Sequence, residues 1–425
     1  MRARTWRTAA TAFGAALMLA VSAAPPAVAE NDRRTGPWTS AWGTAPQHPA
    51  APGSPWGGWS AEGFTDQSVR QVMRISATGS HLRVRLSHRY GAQPIRLARA
   101  TVARSAGGAS VRPGTLRDLR FSGRAATVLP TGAERFSDPV ALPVRAGEKL
   151  TVTLYFAAPT GPVTHHGDGL ATSYRARGDE TRGTAGDAFA GDTSASFYLL
   201  AGVDVTRGRG PGAVVTFGDS ITDGYGSTPD TDRRYPDRLA ERLHASGRPH
   251  GVVNAGISGN RLLTESPCFG ADGLTRFRHD VLGRADVRSV VVLLGINDIG
   301  AGGAPDFGCG SPPAVTAEQL IEGHRALIRA AERSGVTAVG ATLTPFKNFP
   351  FYYTPDKERV RDEVNHWIRT SGAYDTVVDL DRVLSDPRPG RGDELAARYD
   401  VGDGIHPNDA GMDALAEAVA ARLPR

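Results

Sequence analysis

Two patterns of hydrophobic and polar residues divide the chain. Up to about Val205, apolar side chains alternate with polar ones, as where Leu82 and Val84 flank Arg83, and turn-forming clusters separate these runs. Alternation with a period of two residues is typical of strands that bury one face. Long helical patterns are missing from this half, so we predict an antiparallel β-sandwich domain over residues 30–206.

A Gly- and Arg-rich segment at 207–212, which we interpret as a linker or turn, precedes a half in which apolar runs alternate with helix-compatible stretches. The predicted buried strands are Ala213–Phe217, Gly251–Asn254, Ser289–Leu294, Val336–Leu343 and Thr376–Leu380. The predicted helices are Tyr235–Ser246, Thr316–Ser334, Asp356–Thr370 and Asp409–Arg422. This alternation predicts a doubly wound parallel sheet with helices on both faces over residues 213–425, and such sheets bind ligands at the carboxyl ends of their strands.

The first 29 residues have the features of a signal peptide. Three arginines among the first seven residues precede a small-residue apolar stretch, and Ala-Val-Ala at 27–29 fits a cleavage site. A membrane anchor is the alternative, but the apolar stretch is short and Ala-rich, and no later segment has the roughly 20 apolar residues that a spanning helix needs. We therefore expect residues 1–29 to be removed and the protein to be secreted without a stable membrane anchor.

Charge and cysteine content narrow the set of partners. The formal net charge is +5, and three of the positive charges lie in the predicted signal peptide. Because this net charge is small and the sequence has no dense cluster of Lys and Arg, we do not expect nucleic acid as a partner. The two cysteines, Cys268 and Cys309, lie in the exported part, which favours a disulfide between them. A zinc or free-thiol role is disfavoured because neither cysteine has a neighbouring Cys or His at ligand spacing.

Four short motifs rich in Gly, Asn and Asp follow predicted strands. They are Gly218-Asp219-Ser220, Gly256-Ile257-Ser258-Gly259-Asn260, Gly295-Ile296-Asn297-Asp298 and Asp403-Gly404-Ile405-His406-Pro407-Asn408. A doubly wound sheet brings the loops after its strands to one edge. Turns of this composition follow strands in any α/β protein, but each of these loops also supplies a group that acyl transfer requires.

Ser220, His406 and Asp403 have the chemistry of a nucleophile and its activating groups. A serine hydroxyl is a weak nucleophile until an imidazole accepts its proton and a carboxylate fixes that imidazole. We predict that Ser220 attacks an ester carbonyl, that His406 accepts its proton and later protonates the leaving alcohol, and that Asp403 orients His406. Asp219, next to the nucleophile, is expected to hydrogen-bond the backbone of its own turn.

The tetrahedral intermediate of this reaction needs hydrogen-bond donors aimed at its negatively charged oxygen. The candidates are the backbone N–H groups of Ser220 and Gly259 and the side-chain amide of Asn297. Glycine at position 259 lets the backbone approach a substrate without an intervening Cβ. The amide of Asn297 is neutral, so it donates a hydrogen bond without entering the proton transfers.

The four motifs resemble the four sequence blocks of the GDSL, or SGNH, hydrolases. The residues that give the family its second name are here Ser220, Gly259, Asn297 and His406, while the Leu of the first acronym is Ile in this chain. The resemblance implies a flavodoxin-like α/β/α fold over about 210–425, an esterase, lipase, thioesterase or carbohydrate-esterase activity, and no metal or organic cofactor. The N-terminal half is similar in layout to the β-sandwich module that precedes the hydrolase in some secreted carbohydrate esterases, including acetyl xylan esterases.

Together these features favour a secreted, monomeric serine esterase that acts on O-acyl esters of carbohydrates, acetyl esters above all. The substrate is then a small-molecule or polysaccharide ester. The first alternative is a lipase or phospholipase for longer acyl chains, which is disfavoured by the accessory module and by the absence of a long apolar amphipathic lid. The second is a carbohydrate- or surface-binding protein without activity, which the complete set of predicted catalytic residues disfavours.

Two further features each have two interpretations. Phe346, Phe349 and Tyr352 follow the fourth predicted strand, so they either wall an acyl or sugar subsite or simply fasten a long loop to the body. A disulfide between Cys268 and Cys309 would connect the segments downstream of Gly259 and Asn297. It either stabilises the fold alone or also preorganises the donors on those segments.

The adjacent pair His165-His166 raises the question of a metal site. Neighbouring residues of a strand point to opposite faces, and no Cys or carboxylate cluster accompanies the pair in the sequence. We therefore interpret the pair as part of a polar loop, with a contact across the domain interface as the alternative.

Overall fold

A computed structural model of the chain describes residues 37–54, 57–206, 208, 210–306 and 308–424. The predicted signal peptide at 1–29 and the first residues of the predicted β domain lie outside these ranges. Two positions of the predicted linker, 207 and 209, also lie outside them. Among the described residues, no helix has the length and apolar character required to cross a membrane.

The N-terminal half is β-rich, as the alternating pattern predicts. Its described strands are β1 (Trp38–Gly43), β2 (Gln67–Arg74), β3 (Gly79–His88), β4 (Ile95–Leu97), β5 (Arg99–Gly107), β6 (Ser110–Val111), β7 (Arg117–Asp118), β8 (Thr127–Leu129), β9 (Ala133–Phe136), β10 (Val140–Val144), β11 (Lys149–Phe156), β12 (His165–His166), β13 (Ser173–Arg177), β14 (Thr193–Ser194), β15 (Phe197–Tyr198) and β16 (Leu200–Thr206). One short 3-10 helix, Asp187–Phe189, lies between β13 and β14.

Two antiparallel sheets dominate this half. One has the strand order β1-β16-β3-β10 with β9 beside β3, and the other has the order β14-β13-β2-β11-β5-β6 with β7 beside β5. Small two-stranded sheets pair β12 with β15 and β4 with β8. Alternate apolar residues of both large sheets, such as Leu82 and Val84 of β3 and Leu150 of β11, are buried in one common core. This arrangement is consistent with the predicted sandwich.

The C-terminal half contains one sheet of five parallel strands. They are β17 (Ala213–Gly218), β18 (Gly251–Gly256), β19 (Val287–Leu293), β20 (Thr337–Ala341) and β21 (Thr376–Val378). The order across the sheet is β18-β17-β19-β20-β21, which is the order of flavodoxin-like doubly wound sheets. The fifth strand is shorter than predicted because Asp379 caps a helix, its carboxylate accepting a hydrogen bond from the Arg382 N–H.

Helices alternate with these strands. They are α1 (Ser220–Asp223), α2 (Tyr235–Ala245), α3 (Gly273–Phe277), followed directly by a π-helical turn (Arg278–Leu282), α4 (Ile296–Ala301), α5 (Ala317–Arg333), α6 (Pro355–Thr370), α7 (Leu380–Leu384) and α8 (Asp409–Arg422). The four predicted helices correspond to α2, α5, α6 and α8, within a residue or two at their ends. Thr316 and Gln319 form a capping box that fixes the start of α5.

The two halves pack against each other through buried polar groups. The Ser40 N–H in β1 donates to the Ala285 carbonyl at 3.1 Å. The Val252 N–H in β18 donates to the Ser76 hydroxyl at 2.7 Å. Arg284, only 3% exposed, donates to the carbonyls of Thr44 and Ala201, both at 2.7 Å. The N-terminal half therefore covers the flank of the parallel sheet at β18, and these contacts lie at the amino ends of β18 and β19.

Candidate active site

Ser220 stands at a sharp turn between β17 and α1. Gly218 ends the strand, and a Cβ there would lie 2.3 Å from the Leu293 carbonyl oxygen, so only glycine fits. The Asp219 carboxylate caps α1 by accepting a hydrogen bond from the Ile221 N–H at 3.1 Å, which confirms its predicted role in the turn. The turn presents the Ser220 hydroxyl at the carboxyl edge of the sheet.

The side chains of Ser220, His406 and Asp403 form a continuous hydrogen-bonded chain. The Ser220 Oγ lies 2.8 Å from His406 Nε2, and His406 Nδ1 lies 2.6 Å from Asp403 Oδ2. An ionised carboxylate only accepts hydrogen bonds, so Nδ1 carries the proton and Nε2 of the neutral ring accepts from the serine hydroxyl. Burial alone would raise the pKa of Asp403, but hydrogen bonds from the side chain and backbone of His406 lower it to about 2. The Asp403 carboxylate is thus ionised at neutral pH and can accept the hydrogen bond from His406 Nδ1.

A compact loop positions Asp403 and His406. The Asp403 Oδ1 accepts from the backbone N–H groups of Ile405 and His406 at 3.0 and 2.9 Å. Asp400, which the sequence interpretation missed, accepts from three successive N–H groups, those of Gly402, Asp403 and Gly404. An aspartate that closes a turn on its own backbone is typical of such loops, so an Asp three residues ahead of Asp403 is the signal that was available.

Gly259 and Asn297 face the same cleft as Ser220. Gly259 has a φ of +74°, and a Cβ at this position would lie 2.4 Å from the ring of Phe269, so both conformation and space require glycine. The amide of Asn297 is fixed at both ends. Its Oδ1 accepts from the Tyr352 hydroxyl at 2.9 Å, and its Nδ2 donates to the Asn260 carbonyl at 3.0 Å. Because an amide nitrogen has two hydrogens, one of them remains for a ligand in the cleft.

Buried polar side chains behind the cleft hold the loop that carries Gly259. The Asp298 carboxylate accepts from the N–H groups of Leu262 and Leu263 at 2.7 and 2.9 Å, and burial raises its pKa to about 6. The Asn260 side chain accepts from Arg276 at 2.9 Å, and Arg276 also donates to the Gly218 carbonyl at 2.7 Å. Arg276 therefore connects the loop after β18 to the end of β17. Its role was not evident from the sequence, because it lies outside the motifs.

The cleft has a free volume of about 190 Å³. Its lining residues from the C-terminal half are Ser220, Tyr225, Ser258, Gly259, Cys268, Phe269, Asn297, Phe349, Tyr352, Ile405 and His406. Phe349 and Tyr352 thus lie where the subsite interpretation expects them. Phe346 does not, because its side chain is fully buried and packs against Tyr353 in the core. Tyr225, which the sequence interpretation missed, packs against His406 with the ring centroids 4.5 Å apart and the ring planes tilted by 52°.

The N-terminal half also lines the cleft, with Gln47, Gly167 and Asp168. The interpretation of His165-His166 as a polar loop is wrong: both side chains are buried and their segment forms strand β12. His166 reaches the other half of the molecule, where its Nε2 lies 2.9 Å from Asp223 Oδ1. The contact across the domain interface is therefore the interpretation that the structure supports.

Cys268 and Cys309 form the expected disulfide. It joins the loop that follows Gly259 to the segment that follows α4. The Ser266 hydroxyl adds a hydrogen bond to the Cys309 carbonyl at 2.8 Å. Within the described ranges, no three side chains of the types that bind metal ions are grouped around one point.

Residues 216–414, which span the segment from Ser220 to His406, match the model of the GDSL-like Lipase/Acylhydrolase family. No curated protein matches the chain in sequence. Among solved structures, an acetyl xylan esterase from Geobacillus stearothermophilus is 20% identical, with 50% of this chain and 96% of that chain covered and a TM-score of 0.37. A GDSL-like lipase from Bacteroides thetaiotaomicron is 17% identical, with 49% of this chain and 86% of that chain covered and a TM-score of 0.34.

Proposed function

We propose that the protein, a carboxylic ester hydrolase whose residues 216–414 match the GDSL-like lipase/acylhydrolase family, cleaves short O-acyl esters of carbohydrates, acetyl esters above all. The observation that carries the proposal is the Ser220–His406–Asp403 hydrogen-bonded chain at the base of a small cleft. The predicted signal peptide and the disulfide support the further proposal that the enzyme acts outside the cell, where disulfides persist.

The proposed mechanism uses an acyl-enzyme intermediate. The Ser220 Oγ attacks the ester carbonyl carbon while its proton passes to His406 Nε2, and the ionised Asp403 stabilises the imidazolium. The negatively charged oxygen then lies against the Ser220 and Gly259 N–H groups and the Asn297 amide, and a donor of this kind lowers the barrier by about 3–4 kcal/mol. The intermediate collapses as His406 protonates the leaving alcohol. A water molecule, deprotonated by His406, hydrolyses the acyl-serine and restores the enzyme.

A short acyl group is favoured by the size of the cleft. Its free volume of about 190 Å³ lies below the roughly 300 Å³ at which drug-sized ligand pockets begin. Phe349 and Tyr352 close one side, their rings meeting edge to face at 5.0 Å between centroids. This space suits an acetyl group and part of an alcohol better than a long acyl chain.

A lipase or phospholipase activity is the second candidate, and one observation favours it. Phe351 is 82% exposed and lies beside the cleft-lining Phe349, with 5.5 Å between their ring centroids, so it extends the apolar surface of the cleft wall. A longer acyl chain that leaves the cleft past Phe349 would contact this ring.

Hydrolysis of p-nitrophenyl esters from acetate to octanoate, together with acetylated xylan, tests the proposal. We expect the highest kcat/KM for acetate, release of acetate from xylan, and loss of at least about 10⁴-fold of activity in Ser220→Ala. Activity that survives in Ser220→Ala would contradict the mechanism.

Two variants on the aromatic loop separate the candidate functions. Phe349→Ala should raise the ratio of octanoate to acetate hydrolysis at least about threefold, because it opens the wall of the cleft. Phe351→Ala is the matched control and should leave this ratio unchanged. A wild-type preference for octanoate that is lost in Phe351→Ala would establish the lipase candidate instead.

A further inference from the structure

The segment that carries Asp168 is held rigidly by residues from both halves. Gln47 pairs its backbone with His165, and its Oε1 accepts from the Gly167 N–H at 2.8 Å. On the other side, the Gly167 carbonyl accepts from the Ser196 hydroxyl at 2.7 Å. The Gly169 carbonyl accepts from Arg234 at 2.9 Å, and Arg234 belongs to the catalytic half. A loop fixed at these points presents its side chains in defined positions.

A buried ion pair locks the same segment to the catalytic half. His166 Nδ1 lies 3.0 Å from the Ala45 carbonyl, and its Nε2 lies 2.9 Å from Asp223 Oδ1. Both partners accept hydrogen bonds, so both ring nitrogens carry protons and the imidazole is cationic. Burial alone would lower the pKa of His166, but the Asp223 carboxylate raises it above its ordinary value. Asp223 Oδ2 in turn accepts from the Ser258 N–H at 2.9 Å, one residue before Gly259.

Asp168, two residues after His166, places its carboxylate in the catalytic cleft. The Ser258 hydroxyl lies 2.9 Å from Asp168 Oδ2 and 3.1 Å from Asp223 Oδ2, so the two carboxylates share its one hydrogen. Oδ1 of Asp168 has no hydrogen-bond partner among the residues that the structure describes. Burial and the charge of Asp223 raise the pKa of Asp168, and the hydrogen bond from Ser258 opposes this shift. Asp168 and His406 line the same cleft as Ser220. His406 protonates the leaving alcohol, so the alcohol part of a bound ester lies in the cleft that Asp168 also lines.

We infer that Asp168 is a specificity-determining residue whose carboxylate accepts a hydrogen bond from a hydroxyl group in the alcohol part of the ester. The inference rests on the proposed function and deepens it, because sugars carry hydroxyl groups next to an esterified position. The same charge disfavours alcohols that carry a carboxylate or phosphate, which a partly buried anion repels. In this arrangement the N-terminal β domain supplies part of the substrate site, and His166 is the positioning residue that holds it there.

A set of acetate esters with one acyl group and three kinds of alcohol tests this inference. The substrates are a monoacetylated methyl xyloside, phenyl acetate without a free hydroxyl, and 4-acetoxybenzoate with an anionic alcohol part. The variants are Asp168→Asn and Asp168→Ala, and Asp192→Asn is the matched control, because Asp192 is exposed on the same domain and bound to Arg175. Melting temperatures establish that each variant is folded.

We expect Asp168→Asn to lower kcat/KM for the xyloside between about tenfold and a hundredfold, the range for a hydrogen bond to a charged group. Phenyl acetate should change less than about twofold, 4-acetoxybenzoate should be hydrolysed at least about threefold faster, and Asp192→Asn should match the wild type. Equal losses on all three esters, or no loss on the xyloside, would overturn the inference.

The wild-type rates keep this test separate from that of the proposed function. If the wild-type enzyme hydrolyses phenyl acetate but not the xyloside, the carbohydrate substrate is wrong. Glycerol monoacetate, which also carries free hydroxyl groups, then replaces the xyloside. The ratio of kcat/KM in Asp168→Asn to that in the wild type, measured on this ester, tests the inference about Asp168.

Discussion

Asn297 is the residue whose orientation the structure explains most fully. Tyr352 donates to its Oδ1 and the Asn260 carbonyl accepts from its Nδ2, so the amide cannot turn over. A donor that is fixed before the reaction stabilises the transition state without reorganisation. Asn297→Ala should therefore lower kcat about 10²- to 10³-fold with little change in KM for phenyl acetate.

Tyr352→Phe is the companion variant, because it removes only the hydroxyl that orients the amide. We expect a smaller loss in kcat, about tenfold or less, and steady-state kinetics of both variants provide the measurement. An increase in KM with unchanged kcat in Asn297→Ala would mean that the amide binds the ground state equally well, contrary to its proposed role.

Asp219 makes the stability of the protein depend on pH. Burial raises its pKa to about 7, and its Oδ2 has no hydrogen-bond partner within the described part of the chain. In the unfolded chain the pKa is about 3.9, so between these values the folded state binds the extra proton. The wild-type protein should therefore lose stability relative to Asp219→Asn as the pH rises from about 4 to about 7, and no further above it.

The loss should amount to a few kcal/mol, since one unit of pKa corresponds to about 1.4 kcal/mol. Urea unfolding of both proteins at pH 4.5, 6 and 8 measures it, with the exposed Asp192→Asn as control. A constant difference between Asp219→Asn and wild type at all three pH values would show that the buried carboxyl does not titrate in this range.

Sequence reasoning proposed the residues whose side chains the structure brings together in the cleft, and it missed the residues that support them. Ser220, Gly259, Asn297, Asp403 and His406 stand in motifs whose residue types match acyl transfer, and the family match confirms the resemblance. The supporting Arg276 and the cleft-lining Asp168 carry no such signal, because Arg and Asp are common in surface loops. Their positions follow from tertiary packing alone.

At the scale of elements, periodicity located the strands and helices, and capping decided their ends. The fourth and fifth predicted strands are too long. After β20, the Leu343 N–H donates a hydrogen bond to the Asn365 side chain. After β21, Asp379 caps the start of α7. Hydrophobicity continues past the point at which strand pairing stops, so an apolar run alone overestimates strand length. The same limitation explains Phe346, which belongs to the core although it follows a strand at the active edge.

The disulfide tests whether a covalent link between two loops matters for catalysis. It joins residues separated by 41 positions, and closing such a loop stabilises the fold by about 4 kcal/mol in the chain-entropy model. Asn297 is already fixed by Tyr352 and Asn260, and Asp298 holds the loop after Gly259. We therefore expect the double variant Cys268→Ser/Cys309→Ser to lower the melting temperature while kcat at 25 °C stays within about twofold.

Thermal unfolding and steady-state kinetics of the same preparation provide the two measurements. A loss of tenfold or more in kcat at a temperature where the variant is fully folded would instead assign the disulfide a role in preorganising the oxyanion donors.

At the scale of the whole molecule, the sequence predicts two domains, and the structure joins them more closely than the pattern indicates. The change of periodicity near 207–212 separates a β-rich half from an α/β half, but it contains no information on how they meet. The interface is built from backbone carbonyls and isolated polar side chains, such as Ser40, Ser76 and Arg284, which have no sequence signature. Because the segment that carries Asp168 is hydrogen-bonded across this interface, residues of both halves line the cleft.

Arg284 provides the sharpest test of this coupling. Its guanidinium donates to the Asp280 carbonyl in its own half and to the carbonyls of Thr44 and Ala201 in the other half. Burial lowers its pKa to about 10, so it stays cationic at neutral pH. Arg284→Met keeps the length of the side chain but leaves these buried carbonyls without their donors, at a cost of roughly 2–5 kcal/mol.

Because the two halves share this buried network, we expect the full chain to unfold in one calorimetric transition and Arg284→Met to move that single transition to lower temperature. Arg382→Met is the matched control, since Arg382 is 79% exposed and such surface pairs contribute at most about 1 kcal/mol. Two transitions in the wild-type protein, of which the substitution shifts only one, would mean that the halves fold independently. In that case the N-terminal domain would not hold Asp168 firmly enough to set substrate preference.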